Sequence, residues 1–229
     1  MSDWHQAKVE ENTPAADQLF HLVLDVEGTG LGEAHQLPGQ YVKLSLDGVG
    51  EGYFAIASAP GDGHHFELLI KAGSPLATAL AQAKVGSLVR ISAPLGKGFP
   101  LEAAKGKNVL LFATGSGIGA IRSAIETIRR EREAFGEVTL FFGVRTPAAF
   151  AYQEELKEWE RARIRVVRTV SQPGRSGWNG LTGYVQAHLG EVNVDGAVAF
   201  VVGQKAMVQG VTEALERRGL PKERVFLNF

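Results

Sequence analysis

Apolar positions recur at every second residue through the first hundred residues, then in runs that switch between strand and helix period. The early runs are LFHLVLDVEG (19 to 28), GQYVKLSLDG (39 to 48), GYFAIAS (52 to 58), HFELLIKAG (65 to 73) and SLVRISAP (87 to 94). Gly, Pro and Asp clusters separate them at the spacing of an antiparallel sandwich or barrel. A single helix is predicted among them, PLATALAQAK (75 to 84), with Ser74 placed to cap it and Pro75 suited to its first turn. After GKGFPLEAAKGK the pattern predicts strands at 108 to 113, 137 to 143, 164 to 170 and 197 to 203. Helices are predicted between and after them at 118 to 134, 149 to 161, 183 to 190 and 205 to 218. That is the order of a parallel sheet covered on both faces. RVFLNF reads as a short final strand. The predicted fold class is α/β plus β: an N-terminal antiparallel β-barrel over residues 1–104, then a C-terminal Rossmann-like parallel α/β domain over residues 105–229.

The stretch VLLFATGSGIGAIR (109 to 122) joins these patterns to chemistry. An apolar strand breaks into a turn carrying Gly115, Gly117 and Gly119 and resumes as a helix, which places helix-start N–H groups where a pyrophosphate could approach closely. A glycine-rich strand-to-helix turn is also used where nothing binds, so the rest of the chain decides its meaning.

Composition removes several classes of function. A chain of 229 residues with 45% hydrophobic content can bury two ordinary cores. Its 24 Lys plus Arg against 25 Asp plus Glu offers no broad electrostatic footprint for nucleic acid or an anionic membrane. With no cysteine there is no disulfide, thiolate zinc site, Cys-ligated iron–sulfur cluster or catalytic thiol. The polar N-terminal stretch has no signal-peptide core, and no run approaches the roughly 20 apolar residues of a membrane span. A cytoplasmic protein with no membrane insertion is expected. His64 and His65, in GDGHHFE, read as exposed turn residues with no carboxylate at ligand spacing, so no metal is predicted. RRERE (129 to 133) reads as the solvated end of a helix, and Trp159 as a helix residue covering the sheet.

Eight segments in order carry a resemblance: PGQYV (38 to 42), YFAIAS (53 to 58), KAGSPLATAL (71 to 80), SAPLGKGFP (92 to 100), FATGSGIGAIR (112 to 122), FFGVRTPAAFAYQEEL (141 to 156), VVGQKAM (201 to 207) and the terminal LNF. Together they make the chain resemble the ferredoxin–NADP reductase superfamily of flavin-dependent reductases over nearly its whole length. The wording AIAS, ATGSGI, AYQ with KEW, and GYVQA is most similar to a plant and bacterial subgroup first named as a kiwifruit protein.

The resemblance implies a flavin on the barrel and a nicotinamide dinucleotide on the second domain. It places flavin contacts at Phe54, Ala55, Ile56, Ala57 and Ser58, at Leu69, Ile70 and Lys71, and at Gly73, Ser74, Ala77 and Thr78. The family's flavin signature is Arg, any residue, Tyr, Ser or Thr, two residues, Ser. Aligned on Ser58, this chain has Gly52, Phe54 and Ala55 in place of the Arg, the Tyr and the middle Ser. A charge-assisted phosphate contact is worth about 1.5 to 3 kcal/mol, so the missing Arg alone costs one to two decades of affinity. Backbone N–H groups of 56 to 58 and 73 to 78 are the expected substitutes, with Lys71 as candidate replacement cation. FAD is expected over FMN, because such groups can receive a pyrophosphate. Phe229 is expected to cover the flavin ring or to pack at the sheet edge.

On the nicotinamide side, Thr114, Gly115, Ser116, Gly117 and Ile118 would cradle the pyrophosphate, with Gly203, Gln204 and Met207 forming a second turn. Val202 stands where the family has a cysteine. Arg145, Ser171, Gln172 and Arg175 fall where the family reads a 2'-phosphate, and Tyr184 with Gln186 where it holds adenine. Many phosphate-selecting members have an Arg where this chain has Gln172, so NADPH and NADH both remain. No catalytic side chain is assigned, because the cofactors carry the hydride chemistry. The implied function is a flavin-dependent NAD(P)H oxidoreductase passing electrons to a redox protein or small-molecule acceptor. The alternative is a flavin-poor or flavin-free nucleotide-binding regulatory module on the same fold.

Overall fold

In the computed structural model, which describes residues 4–190 and 192–228, the short-period segments form one antiparallel sheet. Its strands are β1 (Trp4–Ala16), β2 (Leu19–Asp25), β3 (Tyr41–Leu46), β4 (Gly50–Ala55), β5 (His65–Lys71) and β6 (Leu88–Ser92), in the order β4-β3-β6-β1-β2-β5. The two outer strands meet through a bridge between Ile56 and Leu68, which closes the sheet into a barrel. Inward residues such as Leu22, Leu44, Phe66 and Ile91 fill it, and α2 (Pro75–Ala81) adds Leu76 and Leu80 at one end. The Ser74 side chain accepts the Ala77 N–H at 3.2 Å, as the capping pattern predicts.

Two barrel elements depart from the pattern. β1 is a strand although only Ala7 and Val9 among its thirteen residues are buried; pairing with β2 on one side and β6 on the other supplies what its polar sequence lacks. A four-residue helix, α1 (Leu31–Ala34), joins α2 where one helix was expected.

The second sheet is parallel, with β7 (Val109–Thr114), β8 (Val138–Val144), β9 (Ile164–Val170), β10 (Leu181–Thr182), β11 (Val198–Val202) and β12 (Val225–Leu227) in the order β10-β9-β8-β7-β11-β12. Helices α3 (Ile118–Arg130) and α4 (Gln153–Arg161) pack on one face, and α5 (Lys205–Glu216) on the other. α4 starts four residues later than expected, because Tyr152 ahead of it is in the left-handed region at φ 60°. The expected helix over 183 to 190 is a single 3₁₀ turn, Val185–Ala187. Val185 and Leu189 are buried at helical spacing, but Gly183 and Gly190 bound the segment at φ 97° and 55°, leaving too few residues to nucleate an α-helix. Nor does RRERE simply fray into solvent: Arg130 reaches Asp62 and the Pro60 carbonyl on the barrel, and Arg132 donates to the Gly136 and Arg163 carbonyls.

The two sheets meet along α3. A Cβ on Gly119 would lie 3.3 Å from the Leu69 Cβ and 3.6 Å from the Ala57 Cβ, so the first turn of α3 rests on the barrel wall. The Ser123 hydroxyl donates to the Ser58 carbonyl at 2.7 Å. No helix among the described residues is long and apolar enough to cross a membrane.

Candidate functional site

Where β4 ends, a cleft of about 290 Å³ opens, lined by Tyr41, Tyr53, Phe54, Ala55 and Asn228. Tyr41 and Tyr53 meet edge to face at 5.6 Å. The Lys43 ammonium, ion-paired to Glu51, lies 5.7 Å from the Tyr53 ring centre. Asn228 donates to the Gly39 carbonyl at 3.2 Å, while its Oδ1 is buried with no partner among the described residues. Gly96 must be glycine here: its φ is 85°, and a Cβ would lie 2.6 Å from the Tyr41 ring and 2.9 Å from the Asn228 carbonyl oxygen.

Of the expected flavin residues, Phe54 and Ala55 line this cleft. Ile56, Ala57, Ser58, Leu69 and Ile70 are buried in the barrel wall instead. The Ile56 N–H bonds the Gln40 carbonyl at 3.0 Å and the Ala57 N–H the Glu67 carbonyl at 2.7 Å. The first continues the β3–β4 pairing and the second joins the outer strands, so neither is free for a ligand. Ala77 and Thr78 N–H groups are likewise taken by the Ser74 side chain and carbonyl. Gly73, Ser74 and Lys71 are exposed. Gly52 faces the first turn of α2, where a Cβ would lie 3.2 Å from Leu76 Cδ2 and 3.5 Å from Phe54 Cε2. Phe229 lies outside the described residues. Tyr41, Tyr53 and Asn228 had no expected role: Tyr53 occupies a variable position of the signature, and Asn228 reaches the barrel only through the fold.

The glycine turn expected to take a pyrophosphate is built largely from main chain. Gly115 takes φ 54° after Thr114, and a 3₁₀ turn over Gly115–Gly117 leads into α3. The Ile118 N–H turns back onto the Gly115 and Ser116 carbonyls, so it is spent inside the turn. Gly117 has an ordinary φ of −61°; its constraint is space, since a Cβ would lie 2.9 Å from the Val202 carbonyl oxygen. A Cβ on Gly203 would collide with Thr114 Oγ1 and lie 3.1 Å from Met207 Sδ. Thus Thr114, Gly117, Val202, Gly203 and buried Met207 are brought together where β7 and β11 end side by side, while Ser116 is half-buried and Gln204 exposed.

Among the residues expected to read the adenosine end, Arg145 Nε donates to Gln172 Oε1 at 2.8 Å, and the Gln172 N–H returns to the Arg145 carbonyl. Ser171 is tied to the Val144 carbonyl, which sets these three residues in one turn; Arg175 is exposed beyond it. Tyr184 is 68% exposed, and Gln186 folds over Gly210.

A charged cluster with no expected role lies on the same seam. Arg122 of α3 bonds Glu67 at 2.9 Å, Glu155 at 2.6 Å and the Ala57 carbonyl at 3.0 Å, with its guanidinium 5.2 Å from the Tyr152 ring centre. His21 holds Glu67 from the other side at 2.9 Å. Burial pushes the Glu67 carboxyl up, but the His21 hydrogen bond and the Arg122 charge carry it below its ordinary value. Glu155 lacks the histidine, and burial leaves its carboxyl raised despite Arg122. The Tyr152 hydroxyl is raised by burial and has no hydrogen-bond partner among the described residues. Trp159 is fully buried and donates to Glu126 at 2.8 Å. His65 opens β5 rather than lying in the turn, and the fold brings to it two carboxylates distant in sequence, Glu10 of β1 at 2.8 Å and Asp25 of β2.

Residues 111–213 match the oxidoreductase NAD-binding domain family. The chain is 32% identical over 203 residues to ferredoxin–NADP reductase B of Sorangium cellulosum, covering 82% of each chain. It is 29% identical over 196 residues to sulfhydrogenase 1 subunit gamma of Pyrococcus furiosus, covering 83% of this chain and 66% of that one. It is 29% identical over 251 residues to fruit protein pKIWI502 of Actinidia deliciosa, covering 98% of this chain and 76% of the other. Among solved structures, a Neisseria gonorrhoeae ferredoxin NADP+ reductase with bound FAD and NADP has the same fold: TM-score 0.80, 17% identity, 99% of this chain and 98% of that one.

Proposed function

Because the chain belongs to the ferredoxin–NADP reductase superfamily, we propose that it is an NAD(P)H-dependent flavin oxidoreductase, with residues 1–104 as its flavin-type domain and 105–229 as its nucleotide domain. The observation that carries this reading is the docking of α3 on the barrel at Ala57 and Leu69. It sets the glycine turn of residues 115–117 against β5 of the barrel.

The residues present fit a planar ring better than they fit its phosphates. Tyr41, Tyr53 and Phe54 wall the cleft, and the unpartnered Asn228 Oδ1 supplies an acceptor for a ring N–H. The phosphate end has Gly52 where a cation would help, leaving the N–H groups of Gly73, Ser74 and Leu76 and the outlying Lys71. On the nucleotide side, Gly117 and Gly203 hold the ends of β7 and β11 close together, and the backbone at Gly115 and Ser116 receives the pyrophosphate. Arg145 with Ser171 and Gln172 receives a 2'-phosphate, which favours NADPH slightly over NADH. When bound, the flavin accepts hydride from the nicotinamide and passes electrons on, singly or in pairs. The chain's task is to position the two rings and exclude water, with Ala55 and Val202 presenting nonpolar surface between them. A redox protein or a small acceptor takes the electrons.

The absorbance spectrum of the purified protein, followed by FAD titration of stripped protein and NADPH oxidation with ferricyanide as acceptor, tests this. Flavin bands or FAD uptake with turnover are expected. The loss of polar groups at Gly52, Ala55 and Val202 favours a second reading, a nucleotide-binding regulatory module. Absence of FAD uptake with retained NADPH binding would establish that reading instead.

A further inference from the structure

The outer edge of β9 is open along most of its length. β10 pairs only with Thr169 and Val170, and the last bond of that ladder is the Gly183 N–H to the Val170 carbonyl at 2.9 Å. Backbone groups of a strand alternate sides, so Val166 turns its N–H and C=O, and Arg168 its N–H, toward the same open side as Val170, while the Arg168 carbonyl faces the Leu181 N–H of β10. No turn or loop hydrogen bond among the described residues takes them up. In line with β10, where a longer neighbour would lie, there is instead a groove of about 570 Å³. Its floor is β9 from Arg165 to Arg168; its walls include Trp178, Leu181, His188 and Gly190. The lining contains two arginines and no carboxylate, and neither arginine is ion-paired to a described residue.

We infer that this edge is a docking site for an extended acidic segment of a partner protein, which adds to the parallel sheet as a strand alongside residues 164 to 168. Five residues of strand span roughly 16 Å. Main-chain pairing with Val166 and Arg168 supplies affinity, and side chains alternate into the two walls of the groove. Arg165 and Arg168 are three apart and so project from opposite faces of the sheet. A segment pairing with both carries acidic residues at the same spacing of three, one facing each arginine. A second copy of this edge is disfavoured, because its arginines would meet like charges. The site lies at the opposite edge of the sheet from β12 and Asn228. A docked segment therefore leaves the aromatic cleft clear, and the site stands apart from any cofactor reading.

The test is fluorescence anisotropy of a labelled peptide TEVTEVT with the full chain. Its controls are TKVTKVT and a peptide with proline replacing the central threonine. Hydrogen exchange at Val166 and Arg168 is followed in parallel. The expected result is saturable binding of the acidic peptide alone, slower exchange at those two amides, and affinity about tenfold lower in Arg165→Glu/Arg168→Glu. Arg168 also lies 5.8 Å from the Phe150 ring, so Arg165→Glu alone, which leaves that contact intact, serves as the second variant and should weaken binding severalfold. Equal binding of the lysine or proline peptide, no protection at Val166 and Arg168, or unchanged affinity in both variants would overturn the proposal. Each would mean that the arginines only guard a sheet edge against pairing.

Discussion

At the Arg122 cluster the barrel and the α/β layer are joined by ionised side chains; at the cleft and the glycine turns, on the same seam, the surfaces are main chain, aromatic rings and small apolar groups. Arg122 satisfies two carboxylates and a carbonyl at once, and His21 supports one of those carboxylates. Ala55, Val202, Gly117 and Gly203 contribute almost no side-chain chemistry. Under the proposed function, the contrast separates two jobs. Holding the domains in register needs strong directional contacts that persist without a ligand, whereas positioning two flat rings needs shape and nearby backbone. The chain can therefore lack the usual polar groups at the cleft, at a cost in affinity, and still retain the frame that makes the cleft.

The most direct way to break this contrast is Arg122→Met. It strands Glu67 and Glu155, about three-quarters buried, without their cation, and should cost about 3 to 5 kcal/mol in urea unfolding. Adding Glu67→Gln and Glu155→Gln should recover part of the loss. A cost under about 1 kcal/mol would mean that the charged cluster does not carry the seam.

Acid should divide the regions further, because the barrel holds a buried neutral histidine. Burial lowers His35 from 6.5 to about 4, and its Nε2 has no partner among the described residues. The unfolded chain takes up this proton as pH falls through 6.5 while the folded barrel resists, so stability is intact above 6.5 and falls progressively toward pH 4, by about 3 kcal/mol. Glu67, held below its ordinary value, keeps its contribution above the ordinary carboxylate range and loses it progressively as pH falls from about 4.5. Urea midpoints from pH 7 to 4 should show the slope, and His35→Leu should flatten it. An equal slope in that variant would assign the acid sensitivity elsewhere.

Gly203→Ala sharpens the cleft side of the comparison. The new methyl collides with Thr114 Oγ1 and crowds Met207, pushing the ends of β7 and β11 apart. Overpacking of this kind costs about 1 to 3 kcal/mol, and NADPH affinity by calorimetry should fall about tenfold. Unchanged affinity would place the nucleotide away from this turn.

The smallest effect is a gain. Gly52→Arg adds a cation beside the first turn of α2, where the nearest atoms are the ends of the Leu76 and Phe54 side chains. FAD should bind about tenfold tighter, or about 1.4 kcal/mol, with little change in folding stability. An unaltered dissociation constant would mean that the phosphates pass elsewhere.

Most strands and the glycine turn were legible because each is local: period-two alternation, an apolar run, a capped helix. β1 was not, since its WHQAKVEENTPAA carries little apolar pattern and exists as a strand through two neighbours distant in sequence. The 183 to 190 segment misled for the opposite reason: Val185 and Leu189 have helical spacing, yet they are buried by packing under α5 between two left-handed glycines. In the cleft, Phe54 and Ala55 followed from the signature. Tyr41, Tyr53 and Asn228 converge only when β3, β4 and the end of the chain meet.

The sequence by itself determined the order of the elements, the change from antiparallel to parallel pairing and the backbone turn at Gly115, because these depend on side-chain period and on φ values that neighbours in the chain dictate. Tertiary structure alone decided which donors were left open for a ligand and which charges would face each other. The Ile56, Ala57 and Ile118 N–H groups are spent on the fold, Gly117 answers to Val202 across two strands, and Arg122 finds Glu67 and Glu155 on different elements. Hydrogen bonds and ion pairs are satisfied by whatever the folded chain brings within about 3 Å, and that distance is blind to separation along the sequence.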